Sequence, residues 1–150
     1  MAFQQSTGRR WAIAGAVFAG GALGTAARAG VEQLFATATP WPTLAVNVVG
    51  SFLLGVMIET QLLAHLRVRH IVRLAVSSGF LGGFTTYSTF VGEVAHFWQS
   101  GAIGLALGYA AVSLVAGVAA AGAGIALARR RPARRAAAPA GQGAGNGGAA

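Results

Sequence analysis

A stretch near the middle of the chain, residues 79–90, combines residue types that can bind ions. Three glycines lie within five residues, and four hydroxyl side chains follow them: Thr85, Thr86, Ser88 and Thr89. Glycine permits backbone conformations that leave a helix. Freed carbonyls can then coordinate a cation, whereas freed N–H groups and hydroxyls can face an anion. Composition alone favours a simpler interpretation, namely close helix packing through small residues with the hydroxyls bonded back to their own helix.

Aromatic rings occur in the same stretch at a regular spacing, because Phe84, Tyr87 and Phe90 recur every three residues. The edge of an aromatic ring carries partial positive charge, so two ring edges that face inward can bind a small, weakly solvated anion. Aromatic residues at this spacing also serve simply as packing residues. The periodicity does not decide between these two roles.

The chain that must position these residues has the composition of a membrane protein. Of its 150 residues, 55% are hydrophobic and 9% are charged, whereas a soluble domain carries about 25% charged residues. Four apolar segments are each long enough to cross about 30 Å of hydrocarbon at about 1.5 Å per residue. They are residues 11–35, 43–63, 71–98 and 103–127. The sequence therefore predicts an all-α integral membrane protein of four transmembrane helices, the third broken at its centre.

Catalytic chemistry is not visible in the sequence. The chain has no cysteine, which excludes disulfides and thiol nucleophiles. We find no nucleophile–base pair, no metal-ligand cluster and no phosphate loop in a strand–helix context. We therefore predict that the protein is not an enzyme.

Arginines flank the apolar segments. All 11 cations are arginine, and ten of them fall in the N-terminal residues, in the loop after the second segment together with the first turn of the third, and in the C-terminal tail. These regions share one side of a four-span protein, and by the positive-inside rule that side is the cytoplasm. The net charge of +8 thus comes from arginines at the ends of membrane spans, and we predict no nucleic-acid partner. We expect a plasma-membrane protein with a cytoplasmic lead over residues 1–10, a four-helix domain over 11–128 and a disordered basic tail over 129–150.

Three motifs make the sequence similar to a known family. GFLGGFTTYSTF at residues 79–90 resembles the third-span signature of the CrcB/Fluc fluoride channels. TLAVNVVGSFLLG at residues 43–55 and GGALGTAAR at residues 20–28 resemble the second- and first-span signatures of that family. The resemblance implies a channel of two antiparallel subunits through which fluoride leaves the cytoplasm passively. It also implies a structural sodium ion at the dimer centre.

The resemblance further implies roles for individual residues. The backbone carbonyls of Gly82 and Thr85 are expected to hold the sodium ion. Independently of the resemblance, the charge of Arg28 near the end of the first segment can attract anions to a pore mouth. Tyr87 replaces the phenylalanine that the family normally has, so a ring edge is retained and a hydroxyl is added. The expected fluoride pathway comprises Asn47, Tyr87, Ser88, Thr89, Phe90, Glu93, Tyr109 and Ser113.

Each of these roles has a structural alternative. Asn47 can act as a polar clamp between helices, and the hydroxyls of Ser88 and Thr89 can bond back to their own helix. Arg28 can be an interfacial anchor rather than a group that attracts anions. Glu93 is a functional candidate as a charge inside a span, but it can equally be a structural partner at a helix end.

Two other functions and two kinds of partner also stay open. A small proton-coupled multidrug exporter is another four-span dimer, but it needs an acidic residue deep in an early span, where this chain has only Glu32 near the end of its first. A non-transporting assembly subunit would merely pack helices.

The arginine asymmetry disfavours insertion of one chain in both directions. The second subunit is therefore either this same chain or a homologous chain of opposite bias.

Overall fold

Every regular element that the structure describes is a helix. The computed structural model describes residues 7–35, 40–63 and 70–136, with side chains up to residue 60 in the second range and up to residue 130 in the third. The elements are α1 (Thr7–Leu34), α2 (Trp41–Leu63), α3 (His70–Leu74), a π-helical segment (Ala75–Leu81), α4 (Gly82–Phe84), α5 (Ser88–Gln99) and α6 (Ile103–Ala136).

Three helices within these ranges are long and apolar enough to cross a membrane. They are Thr7–Leu34, Trp41–Thr60 and Ile103–Arg130. The predicted third span consists instead of the shorter pieces from α3 to α5. The prediction of an all-α membrane protein is confirmed, whereas the count of four spans and the antiparallel dimer stay predictions.

Large apolar side chains lie mostly on the outside of the molecule. Phe18, Leu34 and Leu114 are 78%, 84% and 69% exposed, whereas Val46 is among the few apolar side chains that are buried. Such a surface would be unfavourable in water, because the transfer of apolar area into water costs free energy. An apolar exterior of this kind is suited to lipid, in agreement with a multi-pass membrane protein.

Glycines bring the helices together in two close pairs. A Cβ at Gly20 or Gly24 of α1 would overlap backbone carbonyls of the third segment. A Cβ at Gly55 of α2 or Gly124 of α6 would overlap backbone carbonyls of the other helix in that pair. Small residues of this kind permit the backbone approach that drives helix association in membranes. The molecule is therefore a pair of α1 with the third segment beside a pair of α2 with α6.

Local sequence signals explain where α2 begins and where α5 ends. Pro42 lies in the first turn of α2, where a missing N–H costs nothing. After α5 the chain passes through Gly101, whose φ of 79° is left-handed. The N–H groups of Gly101 and Ala102 donate to the carbonyls of Trp98 and Phe97 at 3.1 and 2.9 Å, which is a Schellman motif. This cap turns the chain sharply into α6.

The structure adds two details to the sequence-based expectations. The departure from helix in the third segment is confined to residues 85–87, because Gly79, Gly82 and Gly83 stay helical. At the C-terminal end, α6 continues past residue 128 to Ala136, while the division into a four-helix domain and a tail stays a prediction. Arginine and alanine are strong helix formers and favour the extension, whereas Pro132 within it is unfavourable in a helix interior. Residues 1–6 of the predicted lead and residues 137–150 of the predicted tail lie outside the described ranges.

Candidate functional site

The helical pattern of backbone hydrogen bonds in the third segment is interrupted after the N–H of Thr85. Thr85 is extended, with φ −79° and ψ 155°, while its N–H and its hydroxyl both donate to the Leu81 carbonyl at 3.0 Å. An unbroken helix would bond the N–H groups of residues 86–89 to the carbonyls of residues 82–85. The break frees these groups, so each of them needs another partner at membrane depth.

Asn47 on α2 is the partner of both backbone groups of Thr86. Its side-chain Oδ1 accepts a hydrogen bond from the Thr86 N–H at 2.8 Å, and its Nδ2 donates to the Thr86 carbonyl at 2.8 Å. One amide therefore clamps both backbone groups of a residue in the break. The Nδ2 group has a second N–H, so the predicted role of Asn47 in an anion pathway stays open beside this structural one.

Thr86 is a site residue that sequence reasoning missed. Its side chain is 8% exposed, and its Oγ1 accepts from the Thr89 N–H at 3.2 Å while donating to Thr89 Oγ1 at 2.9 Å. The Ser88 hydroxyl lies 3.4 Å from the same oxygen. Thr86 thus caps the N-terminal turn of α5, and the signal for it was a threonine three residues before another hydrogen-bonding side chain. The predicted hydroxyls are joined through Thr86 and not bonded back along α5.

The freed carbonyls divide into two groups. The Gly83 carbonyl accepts from Arg28 Nε at 3.4 Å and from Thr25 Oγ1 at 3.5 Å. The carbonyls of Gly82, Phe84 and Thr85 accept no hydrogen bond from any described residue. Unpaired carbonyl oxygens in a membrane protein suit a hard monovalent cation, and the described part of the chain has no group of three His, Cys, Asp or Glu side chains that could hold another metal. The two carbonyls predicted for sodium are therefore chemically suited to it.

Arg28 on α1 contacts the third segment at the Gly83 carbonyl, just before the break. Its Nη1 forms an ion pair with Glu32 Oε1 at 3.0 Å, and its side chain is 22% exposed. Together with the bond to the Gly83 carbonyl, this arrangement ties α1 to the third segment. A role at a pore mouth stays a prediction.

Aromatic rings and hydroxyls line an open groove beside the break. The rings of Tyr87 and Phe90 have centroids 6.2 Å apart, and the rings of Phe90 and Tyr109 have centroids 5.4 Å apart. Tyr87 is 79% exposed. The groove has a volume of about 520 Å³. Its lining consists of Asn47, Ser51, Thr85, Thr86, Tyr87, Phe90, Ala110, Ser113, Leu114 and Gly117.

Glu93 lies one turn beyond Phe90 and is held by hydroxyls from two other helices. Thr43 Oγ1 donates to Glu93 Oε1 at 2.7 Å, and Tyr109 Oη donates to Glu93 Oε2 at 2.6 Å. The buried Oγ of Ser113, one turn after Tyr109, makes no hydrogen bond of ordinary length with the described residues, although it lies close enough to the Tyr109 hydroxyl to interact with it. Ser113 lines the groove, where a hydroxyl can act as a hydrogen-bond donor.

Four of the eight predicted pathway residues therefore line one groove: Asn47, Tyr87, Phe90 and Ser113. Ser88 and Thr89 are joined to it through Thr86, and Glu93 and Tyr109 through the ring contact of Tyr109 with Phe90. Arg28, predicted at a pore mouth, does not line this groove and contacts the Gly83 carbonyl. The groove brings together hydroxyl side chains, aromatic rings and an unpaired backbone carbonyl. Such an arrangement can replace part of the hydration shell of a small ion.

These features define a class of protein: a multi-pass helical membrane protein whose third apolar segment is broken beside a groove of hydroxyls and aromatic rings. Residues 15–125 match the family described as CrcB-like protein, Camphor Resistance (CrcB). The match covers most of the chain, and the protein belongs to this family.

Curated relatives agree with this assignment. The fluoride-specific ion channel FluC of Bordetella petrii is 48% identical over 106 residues, which are 69% of this chain and 81% of that protein. The fluoride-specific ion channel FluC 1 of Mycolicibacterium paratuberculosis is 43% identical over 123 residues, 80% of this chain and 92% of that protein. FluC of Agrobacterium fabrum is 43% identical over 117 residues, 75% of this chain and 93% of that protein. The resemblance inferred from the three motifs is confirmed. Because the family is one of ion channels, the prediction that the chain is not an enzyme is confirmed as well.

Proposed function

We propose that this chain is a subunit of a fluoride-selective channel of the plasma membrane, through which fluoride leaves the cytoplasm passively. The observation that carries the proposal is the position of the groove. All the residues that line it lie within the segment that matches the family, and the relatives over that segment are named fluoride-specific ion channels.

The chemistry of the groove supports an anion. Fluoride is small and strongly hydrated, and an uncompensated ion in a low-dielectric medium costs tens of kcal/mol by the Born estimate. The ring edge of Phe90, the buried hydroxyl of Ser113 and the second N–H of Asn47 replace part of the hydration shell. Ser88, Thr89 and the ring of Tyr87 extend this lining toward the exposed side of the break.

The direction of transport follows from the membrane potential. Hydrogen fluoride diffuses into a cell from acidic surroundings and ionises in the more alkaline cytoplasm. A potential of 100 mV, negative inside, is worth about 2.3 kcal/mol for one elementary charge. A fluoride-selective leak therefore lowers cytoplasmic fluoride without coupling to another substrate.

Fluoride efflux from proteoliposomes tests this function. Vesicles loaded with fluoride and containing the purified channel should release the ion after a potassium ionophore clamps the potential, as followed with a fluoride electrode. Chloride-loaded vesicles from the same preparation serve as the control and should retain their anion. Equal release of the two anions, or no release of either, would contradict the proposal.

A structural sodium ion is the second part of the proposal. It is supported by the unpaired carbonyls of Gly82 and Thr85, and by the position of Gly82, which is exposed with open space where a Cβ would be. The ion would supply fixed positive charge next to the anion pathway. The two carbonyls would hold it together with the same groups of a second subunit.

Removal of sodium should destabilise the assembly. We expect the midpoint of thermal unfolding to fall by several degrees when N-methylglucamine replaces sodium throughout purification, because a ligand that binds only the folded state stabilises it by mass action. The signal is the fluorescence of the three tryptophans. Readdition of sodium should restore the midpoint, and an unchanged midpoint would argue against the ion.

The second subunit would be antiparallel to this one, with both termini of this chain in the cytoplasm. The arginine bias supports a homologous partner of opposite bias over a second copy of the same chain. Purification of the chain expressed alone decides between them. A functional dimer from this gene product alone would reject the heteromeric assembly, whereas fluoride flux that appears only on co-expression with a homologous subunit would support it.

A further inference from the structure

The last turns of α6 concentrate positive charge at one end of the molecule. α6 runs parallel to α2, because Ser51 lies beside Gly117 at one level and Glu59 lies beside Arg129 further along both helices. α6 then continues to Ala136. Its last turns contain five arginines, namely Arg129, Arg130, Arg131, Arg134 and Arg135. These positions therefore lie near the C-terminal end of α2, at one end of the molecule.

Carboxylates do not balance this charge. Glu59 Oε1 forms an ion pair with Arg129 Nε at 3.0 Å, and the Glu59 side chain is 5% exposed. Glu32 forms an ion pair with Arg28, and Glu93 contacts the first turn of α2, toward the opposite end. The chain has three acidic residues in all. No further carboxylate side chain is therefore left to neutralise the four arginines that follow Arg129.

The length of α6 places residues 130–136, which we call the basic extension, at the membrane surface. The apolar helix Ile103–Arg130 has 28 residues, which is about 42 Å at about 1.5 Å per residue. A bilayer is about 40–45 Å thick when its headgroup regions are included. Residues 131–135 extend about 8 Å further, which is about one Debye length at physiological ionic strength. The basic extension is therefore within reach of the headgroup charges.

The spacing of the arginines separates one of them from the other four. Arg129, which Glu59 holds, lies on a different side of α6 from the rest. The positions that fall within an arc of about 140°, at 3.6 residues per turn, are Arg130, Arg131, Arg134 and Arg135. Guanidinium groups match the geometry of phosphate oxygens and bind them through two parallel hydrogen bonds. The basic extension thus presents a set of groups suited to phosphate.

We propose that the basic extension binds the headgroups of anionic phospholipids in the leaflet that surrounds it. The lipid phosphates supply the negative charge that the chain lacks at this end. Because the extension continues directly from a membrane-spanning helix, it meets these headgroups at a high effective concentration. The arginine bias predicts that this leaflet is the cytoplasmic one, whose surface is negative. The inference does not depend on fluoride conduction.

Native mass spectrometry of the purified protein measures this binding. Phosphatidylglycerol and phosphatidylcholine are added in turn to the protein in a neutral detergent, and we expect phosphatidylglycerol to be retained preferentially. In the double variant Arg134→Gln/Arg135→Gln, the dissociation constant for phosphatidylglycerol should rise about tenfold or more, because each arginine near an anionic surface contributes to the attraction. Equal retention of the two lipids by the wild-type protein would overturn the proposal.

The matched control removes two arginines outside the basic extension. Arg9 and Arg10 are exposed in the first turn of α1, so Arg9→Gln/Arg10→Gln changes the net charge by the same amount. We expect this variant to retain phosphatidylglycerol nearly as well as the wild type does. If the two double variants lose the lipid equally, only the net charge matters and the basic extension is not a binding site.

A charge-conserving variant separates electrostatic attraction from a change in the helix. Arg134→Lys/Arg135→Lys should keep much of the affinity for phosphatidylglycerol, and this affinity should fall as the ionic strength rises. A lysine variant as weak as the glutamine variant would show that charge is not the cause and would overturn the proposal. An RNA oligonucleotide added in excess should not displace the lipid. Displacement would assign the basic extension to a nucleic-acid partner instead.

Discussion

Replacement of Asn47 by leucine should abolish fluoride conduction and destabilise the protein. The leucine has a similar volume but leaves the N–H and the carbonyl of Thr86 without the partners that Asn47 provides at 2.8 Å. Each unsatisfied buried backbone group costs about 1–3 kcal/mol, so we expect a loss of about 2–6 kcal/mol. A loss in the middle of this range shifts an equilibrium by more than about a hundredfold. Fluoride efflux and the midpoint of thermal unfolding measure the two effects.

The control for Asn47 is its neighbour one turn along α2. Ser51 lines the same groove, and Ser51→Ala removes one polar group without freeing the backbone of the break. We expect its effects to be much smaller than those of Asn47→Leu. Wild-type flux and stability in Asn47→Leu would show that the break does not depend on the clamp.

The second large effect is expected for Gly24→Ala on α1. A Cβ at this position would overlap the backbone carbonyl of Phe80, and no rotamer change relieves a clash with backbone. Overpacking costs about 1–3 kcal/mol, occasionally more. Separation of α1 from the third segment would also pull Arg28 and Thr25 away from the Gly83 carbonyl. We therefore expect a lower midpoint of thermal unfolding together with reduced fluoride flux.

Gly30→Ala is the matched control on the same helix. Nothing lies within 4 Å of a Cβ built at Gly30, and alanine is the better helix former by about 1 kcal/mol. This variant should be as stable as the wild type or slightly more stable. If Gly24→Ala and Gly30→Ala behave alike, the close approach of α1 to the third segment does not contribute to stability.

The glycines and the threonines of the third segment show what the sequence could reveal. Apolar length and composition predicted the helices, and Gly82 and Gly83 pointed to an interruption. Those glycines turned out to stay helical, and the chain leaves the helix at Thr85 and Thr86 instead. The reason is tertiary, because Asn47, about 40 residues away in the chain, takes both backbone groups of Thr86. A local pattern does not contain that partner.

For the site, too, the sequence pointed to some of the residues but not to the contacts they make across the fold. The family motifs drew attention to Asn47, Phe90 and Glu93, and the structure brings these residues to one region. They did not indicate that Thr86 caps α5 or that Thr43 contacts Glu93. Both of those contacts depend on the register of α2 against the broken segment, which the packing of helices decides. Hydroxyl residues in an apolar helix have several possible partners, so spacing alone does not select one.

The reversal potential of the reconstituted channel tests the central claim most directly. In a planar bilayer with a fluoride gradient and equal chloride on both sides, a fluoride-selective passive channel should give a reversal potential at the fluoride equilibrium potential. The value should not move when a pH gradient is imposed. A reversal potential near zero, or one that follows the proton gradient, would contradict the account.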